Sequence, residues 1–188
     1  MTSRSKEDYL KNIYHIQEEG RKVNTGSLAA ALAISPASVS EMVNKLSKDG
    51  LIDNKPYHGF ELTLDGRKIS LSLIRKHRLL EVFLHEHLQY EWDEVHEEAE
   101  KLEHVCSDMF INKLEEYLSF PKFDPHGDPI PDKELNLAPT HYKLLLNTEP
   151  GREYIIAKLK DSSIEILQYL TKIGIKLNTK IILSEKIE

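Results

Sequence analysis

One short stretch, residues 96–104, combines histidines and carboxylates at a spacing that suits metal binding. In the segment HEEAEKLEH, the potential ligands stand at positions i, i+4, i+7 and i+8: His96, Glu100, Glu103 and His104. An α-helix has 3.6 residues per turn, so this spacing places all four side chains on one helical face. Clustered anions repel each other unless a cation joins them. The pattern therefore predicts a metal site, and a solvated acidic helix with incidental histidines is the alternative.

Other parts of the chain add candidate ligands. His77 and Glu81 form a second i, i+4 pair, and Asp8 supplies a carboxylate from the first predicted helix. The net charge is −6, and the surplus of acidic residues is concentrated in residues 66–120 together with most of the histidines. This distribution favours cation binding. The single cysteine, Cys106, excludes an intrachain disulfide and could reach the cluster, although free cysteines usually pack as small buried apolar side chains.

The first 65 residues have the pattern of a winged helix-turn-helix. Apolar residues recur at helical spacing in residues 5–19, 27–34 and about 36–49, with Ser35 and Pro36 as the start signal of the third helix. Two strand-like runs then flank a Pro-Tyr-His-Gly turn. Two helices, a tight turn, a third helix and a β-hairpin make up this DNA-binding motif.

The third helix of this motif would read DNA. It begins with small polar residues that allow close approach to the major groove, and it continues with lysines that suit phosphate contacts. Arginine is scarce here, so phosphate contacts and DNA shape should dominate over base readout. Packing in an ordinary core, or a winged helix used for protein contact, is the alternative. The candidate contacts are Ser35, Ala37, Ser38, Ser40, Lys45, Lys48, Lys55 and Tyr57.

The remainder of the chain predicts a helical region and a small C-terminal module. Helical spacing covers residues 66–88 and about 92–118, and the proline-rich loop FPKFDPHGDPIPDK follows. The tail contains strand-like runs HYKLLLN, EYIIAKL and TKIILS, with IEILQYLTKIG as a short helix between the last two. The predicted fold is therefore mainly α, with domains at 1–65, 66–138 and 139–188.

Seven segments in this order resemble the DtxR/MntR family of metal-dependent repressors. They are KEDYLKNIY, SPASVSEMV, DGLI, LTLDGRK, RKHRLLEVFL, VHEEAEKLEHVCSD and FPKFDPHGDPIP. The resemblance implies an N-terminal winged helix-turn-helix, a helical metal-binding and dimerisation domain, and an SH3-like or FeoA-like C-terminal module. The tail is short for such a module, so a complete and a truncated version both stay open.

The resemblance also implies ligand sets. One metal position would use Asp8, Glu100, Glu103 and His104, with His77 available to bridge or join, and a second would use His77 or Glu81 with His96. In the longer branch of the family the proline-rich loop adds ligands, which here would be Asp124 and His126, with Asp161 as a weaker candidate. Asp8 and Glu100 stand where the iron-sensing branch has sulfur ligands, and Asp124 stands where the longer branch commonly has cysteine. Oxygen ligands favour Mn²⁺, with Fe²⁺ as the alternative and Zn²⁺, Co²⁺ or Ni²⁺ as ions that could bind in vitro.

The expected function is repression of metal-homeostasis genes by a homodimer that binds double-stranded operator DNA when Mn²⁺ is bound. We expect no enzymatic activity, no small organic substrate and no membrane association. The N-terminus lacks the apolar core of a signal peptide and no apolar run could span a bilayer, so we expect a cytoplasmic protein. The alternatives are an iron-dependent repressor of the same family, a helical di-metal enzyme, and a helix-turn-helix regulator of another effector.

Overall fold

The computed structural model describes residues 3–55, 59–159 and 164–186. The chain forms two compact units, Met1–Arg75 and Lys76–Glu188. The long helix α4, Leu64–Leu88, contributes residues to both units.

Three helices form most of the first unit: α1 (Arg4–Glu18), α2 (Thr25–Leu32) and α3 (Pro36–Lys48). The N-cap of α1 is Ser3, and its side chain makes no capping hydrogen bond. A reciprocal capping box between Asn24 and Ser27 starts α2. The predicted start of α3 is confirmed, because the Ser35 side chain accepts a hydrogen bond from the Ser38 backbone N–H.

A β-hairpin completes the winged helix-turn-helix and confirms that prediction. Strands β1 (Ile52–Lys55) and β2 (Gly59–Leu62) pair in antiparallel register. Gly59 has a φ of +92°, and an added Cβ would lie 2.0 Å from the Val23 carbonyl oxygen, so glycine permits this close approach. Strand β2 ends at Leu62, and Leu64 begins α4. The buried core of this unit includes Leu10, Ile13, Leu28, Val39, Leu46 and Ile52.

The second unit has two helices where the sequence predicted one over residues 92–118. Helix α5 is Val95–Leu102 and helix α6 is Asp108–Tyr117. The single-helix prediction is wrong because the chain turns between them and Ser107 caps a new helix, its Oγ accepting from the Phe110 N–H at 3.2 Å. These helices pack with the second part of α4 around Leu79, Leu80, Val95, Ala99 and Ile111.

The C-terminal part contains β3 (Glu153–Ile155), α7 (Ile164–Lys172) and β4 (Lys180–Ile182), with β3 and β4 paired antiparallel. These strands and α7 confirm three of the predicted segments. The prediction of a strand in HYKLLLN is wrong, because Leu145–Asn147 forms a 3₁₀ turn. Thr148 closes that turn, donating from its N–H and its hydroxyl to the Leu145 carbonyl.

A search of the described residues for membrane spans found no single helix that is both long and apolar enough. One bent pair, α2 with α3, meets the length and composition criteria together across a 110° bend.

Candidate metal centre and recognition helix

His77 lies at the centre of a group of ligand-type side chains in the second unit. Its Nδ1 lies 2.6 Å from Glu103 Oε2. Its Nε2 lies 3.0 Å from Glu81 Oε1 and 3.1 Å from His96 Nδ1. His77 is buried, so this imidazole joins three other potential ligands in an environment with little water.

His77, His96 and Glu100 form the first of three clusters. One potential ligand atom from each lies within 4.8 Å of those of the other two. Glu100 Oε2 is 3.7 Å from His77 Nδ1, and the two imidazole rings meet edge to face. Ligands about 2.1 Å from one cation lie roughly 3 Å apart when adjacent. The 3.1 Å between the two imidazole nitrogens is therefore a separation that one ion could bridge.

Glu100 also belongs to the second cluster, with Glu103 and His104. Glu103 is the C-cap of α5 and keeps a helical backbone (φ −56°, ψ −34°), so its side chain still follows the helical face expected from the sequence. Glu103 is completely buried, and its Oε1 lies 3.4 Å from His104 Nε2. Asp8 lies on α1 in the first unit, and its membership of this ligand set stays a prediction.

The third cluster consists of Glu81, Asp124 and His126, all buried. His126 Nε2 lies 2.7 Å from the Trp92 carbonyl oxygen, which can only accept, so this nitrogen carries a proton. In the neutral ring the lone pair is then on Nδ1, 3.8 Å from Glu81 Oε2. The Trp92 indole stacks on the same imidazole at 6.4 Å between ring centroids. The Trp92 carbonyl thus favours the tautomer in which Nδ1 of His126 could coordinate a cation.

The loop that carries Asp124 and His126 is tightly constrained. Asp124 Oδ1 accepts two hydrogen bonds of 2.9 Å, from the backbone N–H groups of His126 and Asp128. Arg78, from α4, contacts the carboxylates of Asp124 and Asp128, and it donates a hydrogen bond to the Pro129 carbonyl. Neither Arg78 nor Trp92 was predicted to act here, because no spacing rule connects either residue to a loop so distant along the chain.

Burial and charge act in opposite directions on the two carboxyls of this cluster. Burial opposes ionisation of Glu81, but the charge of His77 and hydrogen bonds from His77 and His96 hold its pKa well below the ordinary value. Burial raises the pKa of Asp124 to about 7, together with the charges of Glu81 and Asp128, while Arg78 opposes the rise. An additional positive charge would therefore stabilise the ionised form of Asp124.

The outcome differs for two other candidate ligands, Asp161 and Cys106. Asp161 lies outside the described residues. Cys106 is half-buried, burial raises the pKa of its thiol against the opposing charge of Lys76, and none of the three clusters in the described part of the chain includes it. The donor atoms brought together are imidazole nitrogens and carboxylate oxygens, a set that fits a hard or borderline divalent cation.

The recognition helix α3 presents a polar surface in the first unit. Six of the candidate DNA contacts are exposed there: Ser35, Ala37, Ser38, Ser40, Lys45 and Lys48. Several hydroxyls form bonds within the helix, since Ser35 Oγ lies 2.9 Å from Ser38 Oγ and Ser40 Oγ donates to the Pro36 carbonyl at 3.0 Å. The side chain of Lys55 and all of Tyr57 lie outside the described part of the structure.

Glu41, on the exposed side of α3, was missed by the sequence analysis. Its Oε1 accepts a hydrogen bond from Lys45 Nζ at 2.8 Å, and this bond and the lysine charge lower the pKa of Glu41. The same pair raises the pKa of Lys45. The i, i+4 spacing in EMVNK was the signal that could have revealed it. The Lys45 ammonium has three N–H donors and can still face a phosphate, but the Glu41 carboxylate beside it offsets part of its positive charge.

These features define a class: a winged helix-turn-helix protein whose helical second unit carries clusters of potential metal ligands. Two family profiles match the chain. Residues 1–60 match the iron-dependent repressor N-terminal DNA-binding domain, and residues 63–132 match the iron-dependent repressor metal-binding and dimerisation domain. The chain belongs to the DtxR/MntR family of metal-dependent transcriptional repressors.

Individual relatives agree with this assignment. The iron-dependent repressor IdeR of Mycobacterium leprae is 38% identical over 125 residues, which cover 66% of this chain and 54% of that protein. The chain thus spans little more than half of that relative's length. The transcriptional regulator MntR of Oceanobacillus iheyensis is 36% identical over 66% of this chain and 84% of its own length. A solved manganese-dependent transcriptional repressor in complex with manganese superposes with a TM-score of 0.88 at 38% identity, over 96% of this chain and 84% of the other.

Proposed function

We propose that this chain is a divalent-metal-dependent transcriptional repressor, with Mn²⁺ as the activating ion, that binds operator DNA as a homodimer. It acts in the cytoplasm and controls genes of metal-ion homeostasis. The observation that supports this proposal most directly is the set of three His/carboxylate clusters in the second unit. Domains at 1–65, 66–138 and 139–188 form part of the proposal.

The choice of Mn²⁺ rests on donor chemistry. The clusters offer oxygen and nitrogen ligands, and hard oxygen donors suit Mn²⁺. The solved repressor complex with manganese is named for the same ion. The iron-dependent repressors among the relatives make Fe²⁺ the second candidate. The intrinsic affinity of such a site rises from Mn²⁺ through Fe²⁺ to the later divalent metals. The ion that is available in the cell therefore also determines which metal is bound.

The bound ion would supply positive charge that lets buried carboxylates and imidazoles remain together. The chain's own residues then act in distinct ways. Glu100 takes part in two of the clusters, so binding at one of them alters the ligand available to the other. His77 connects these ligands to Glu81 through its two ring nitrogens. Metal affinity at the two clusters that share Glu100 should therefore be coupled.

DNA binding would use the N-terminal end of α3. The Ser35 cap fixes the start of the helix, and the small exposed residues that follow would let the helix approach the major groove of DNA closely. The family resemblance assigns Asp8 to a metal position with Glu100, Glu103 and His104, which would link metal binding to the DNA-binding domain. Thermodynamic linkage makes that coupling reciprocal, typically about 1–3 kcal/mol.

A metal titration of DNA binding tests the proposal. A duplex selected by the full chain from a random library in the presence of Mn²⁺ serves as the probe. Its affinity is measured with Mn²⁺, Fe²⁺ or Zn²⁺ and with a chelator, at one fixed salt concentration. Tight binding that needs Mn²⁺ and is lost with chelator is expected. Equal binding in chelator would indicate a regulator of another effector, and no selectable duplex would favour a metalloenzyme.

A further inference from the structure

Arg78 stands out because it contacts the metal-ligand loop at three points while itself being unable to bind a cation. Its guanidinium lies 3.5 Å from Asp124 Oδ2 and 3.2 Å from Asp128 Oδ1, and it donates to the Pro129 carbonyl. The Arg78 side chain is 11% exposed. A planar guanidinium with several donors can hold two carboxylates and a carbonyl in one fixed arrangement, which an ammonium group cannot do.

The loop contacted by Arg78 is held from other directions as well. Lys158 Nζ lies 2.6 Å from the same Asp128 oxygen, and the Tyr142 hydroxyl donates to the Gly127 carbonyl at 3.0 Å. The Leu159 N–H donates to the His126 carbonyl at 2.9 Å. Each of these contacts involves residues 126–128. Arg78 also contacts Asp124, a candidate ligand, so it connects residues 126–128 of the loop to the third cluster.

We propose that Arg78 is a positioning residue: its guanidinium fixes Asp124, Asp128 and Pro129 so that Asp124 and His126 face Glu81 in a geometry ready for a divalent cation. This inference rests on the proposed function. The guanidinium engages Asp124 Oδ2, while Asp124 Oδ1 is already committed to two backbone N–H groups. The shape of the guanidinium, rather than its charge alone, is what holds the cluster.

A role for the charge of Arg78 and a role for its planar shape predict different changes in Mn²⁺ affinity, so substitutions of Arg78 can separate the two roles. A cation beside a metal site repels the metal, and if charge were the whole effect, Arg78→Gln would tighten Mn²⁺ binding and Arg78→Lys would leave it unchanged. If shape dominates, both substitutions weaken binding. Loss of a group that orients metal ligands usually lowers metal affinity about 10–100-fold.

Trp92 provides a reporter for this cluster. It is the single tryptophan in the chain, its carbonyl accepts from His126 Nε2, and its indole stacks on the same ring. Mn²⁺ is titrated into the metal-free full chain while Trp92 fluorescence is followed, and equilibrium dialysis counts all bound Mn²⁺. Dialysis also reports ions bound at the two clusters that contain Glu100.

We expect Arg78→Lys and Arg78→Gln to lower the affinity seen by Trp92 at least about tenfold, with the remaining Mn²⁺ bound as in wild type. Asp128→Asn should also lower the Mn²⁺ affinity that Trp92 reports. The double variant, Arg78→Lys with Asp128→Asn, should lower this affinity little more than either substitution alone. Lys113→Gln, which removes a cation from an exposed ion pair on α6, should change nothing.

Thermal unfolding of each metal-free variant checks the fold, and the partly exposed Asp128 keeps the test usable if the Arg78 variants are unstable. Wild-type affinity in Arg78→Lys, or tighter binding in Arg78→Gln, would overturn the positioning role and leave the proposed function standing. Equal weakening of every Mn²⁺ ion would also overturn it, since that indicates a general structural defect. A wild-type chain that binds no Mn²⁺ would refute the proposed function itself.

Discussion

Gly127 gives a prediction whose size follows from the structure. It lies between His126 and Asp128, with a φ of +88°. A Cβ built there would lie 2.1 Å from the Ala157 carbonyl oxygen and 2.9 Å from the Lys158 Cα, whereas ordinary contact begins at 3.4 Å. Gly127→Ala therefore requires the loop and the 157–158 backbone to separate by roughly 1 Å, because backbone atoms cannot rotate away.

The expected loss of stability has two parts. Left-handed backbone costs a residue with a Cβ about 1–2 kcal/mol. The separation also breaks the hydrogen bonds from Tyr142 to the Gly127 carbonyl and from Leu159 to the His126 carbonyl, each worth about 1 kcal/mol net. We expect a total of roughly 3–4 kcal/mol in urea unfolding. Because His126 moves with the loop, Mn²⁺ affinity reported by Trp92 should fall at least about tenfold.

Gly174→Ala is the matched control. Gly174 belongs to the same unit and has a φ of +78°, but an added Cβ would meet no atom within 4 Å. This variant should show only the backbone cost, about 1–2 kcal/mol, with wild-type Mn²⁺ affinity. If Gly127→Ala and Gly174→Ala lose the same stability and both keep Mn²⁺ affinity, the close packing against residue 157 does not hold the ligand loop.

Four other outcomes are expected. Lys45→Ala should weaken DNA binding and flatten the slope of log affinity against log salt by about 0.9, the value for one phosphate contact, and an unchanged slope would remove Lys45 from the contacts. Glu41→Gln should strengthen DNA binding, because it removes the negative charge beside Lys45; weaker binding would contradict the charge offset inferred from their ion pair. Mn²⁺ at 100 times its dissociation constant should stabilise the chain by about 2.7 kcal/mol per site in urea unfolding, and Glu81→Gln should reduce this gain. Asp8→Ala should abolish Mn²⁺-stimulated operator binding while circular dichroism shows an intact fold; retained stimulation would exclude Asp8 as a ligand.

Local signals in the sequence were enough to predict the first unit. Ser35 and Pro36 mark a helix start whose hydrogen bonds are formed within the helix itself, and the hairpin follows from two short apolar runs. The second unit was harder, because residues 92–118 read as one acidic helix. The chain breaks that helix at a cap, Ser107, which is a local signal that the longer periodic pattern obscured.

The relative placement of the candidate ligands could be predicted where they share one helix. Residues 96–104 could be placed on a face by spacing alone, since even Glu103 past the end of α5 keeps helical dihedral angles. Asp124 and His126 were expected only through family resemblance. Their placement depends on hydrogen bonds from the loop backbone to the Asp124 side chain and on contacts from Arg78. Neither kind of contact produces a periodic pattern in the sequence.

The buried charges of the third cluster explain why its ligands need so much support. Glu81 and Asp124 each have side chains no more than 3% exposed, and two buried anions are costly to keep together. Arg78 is one nearby cation, but it divides its charge between Asp124 and Asp128. Lys158, which contacts the same Asp128 oxygen as Arg78, offsets part of that demand. The chain thus supplies enough positive charge to hold the loop but leaves the Asp124 carboxylate short of it, and a divalent ion bound among Glu81, Asp124 and His126 would meet that deficit.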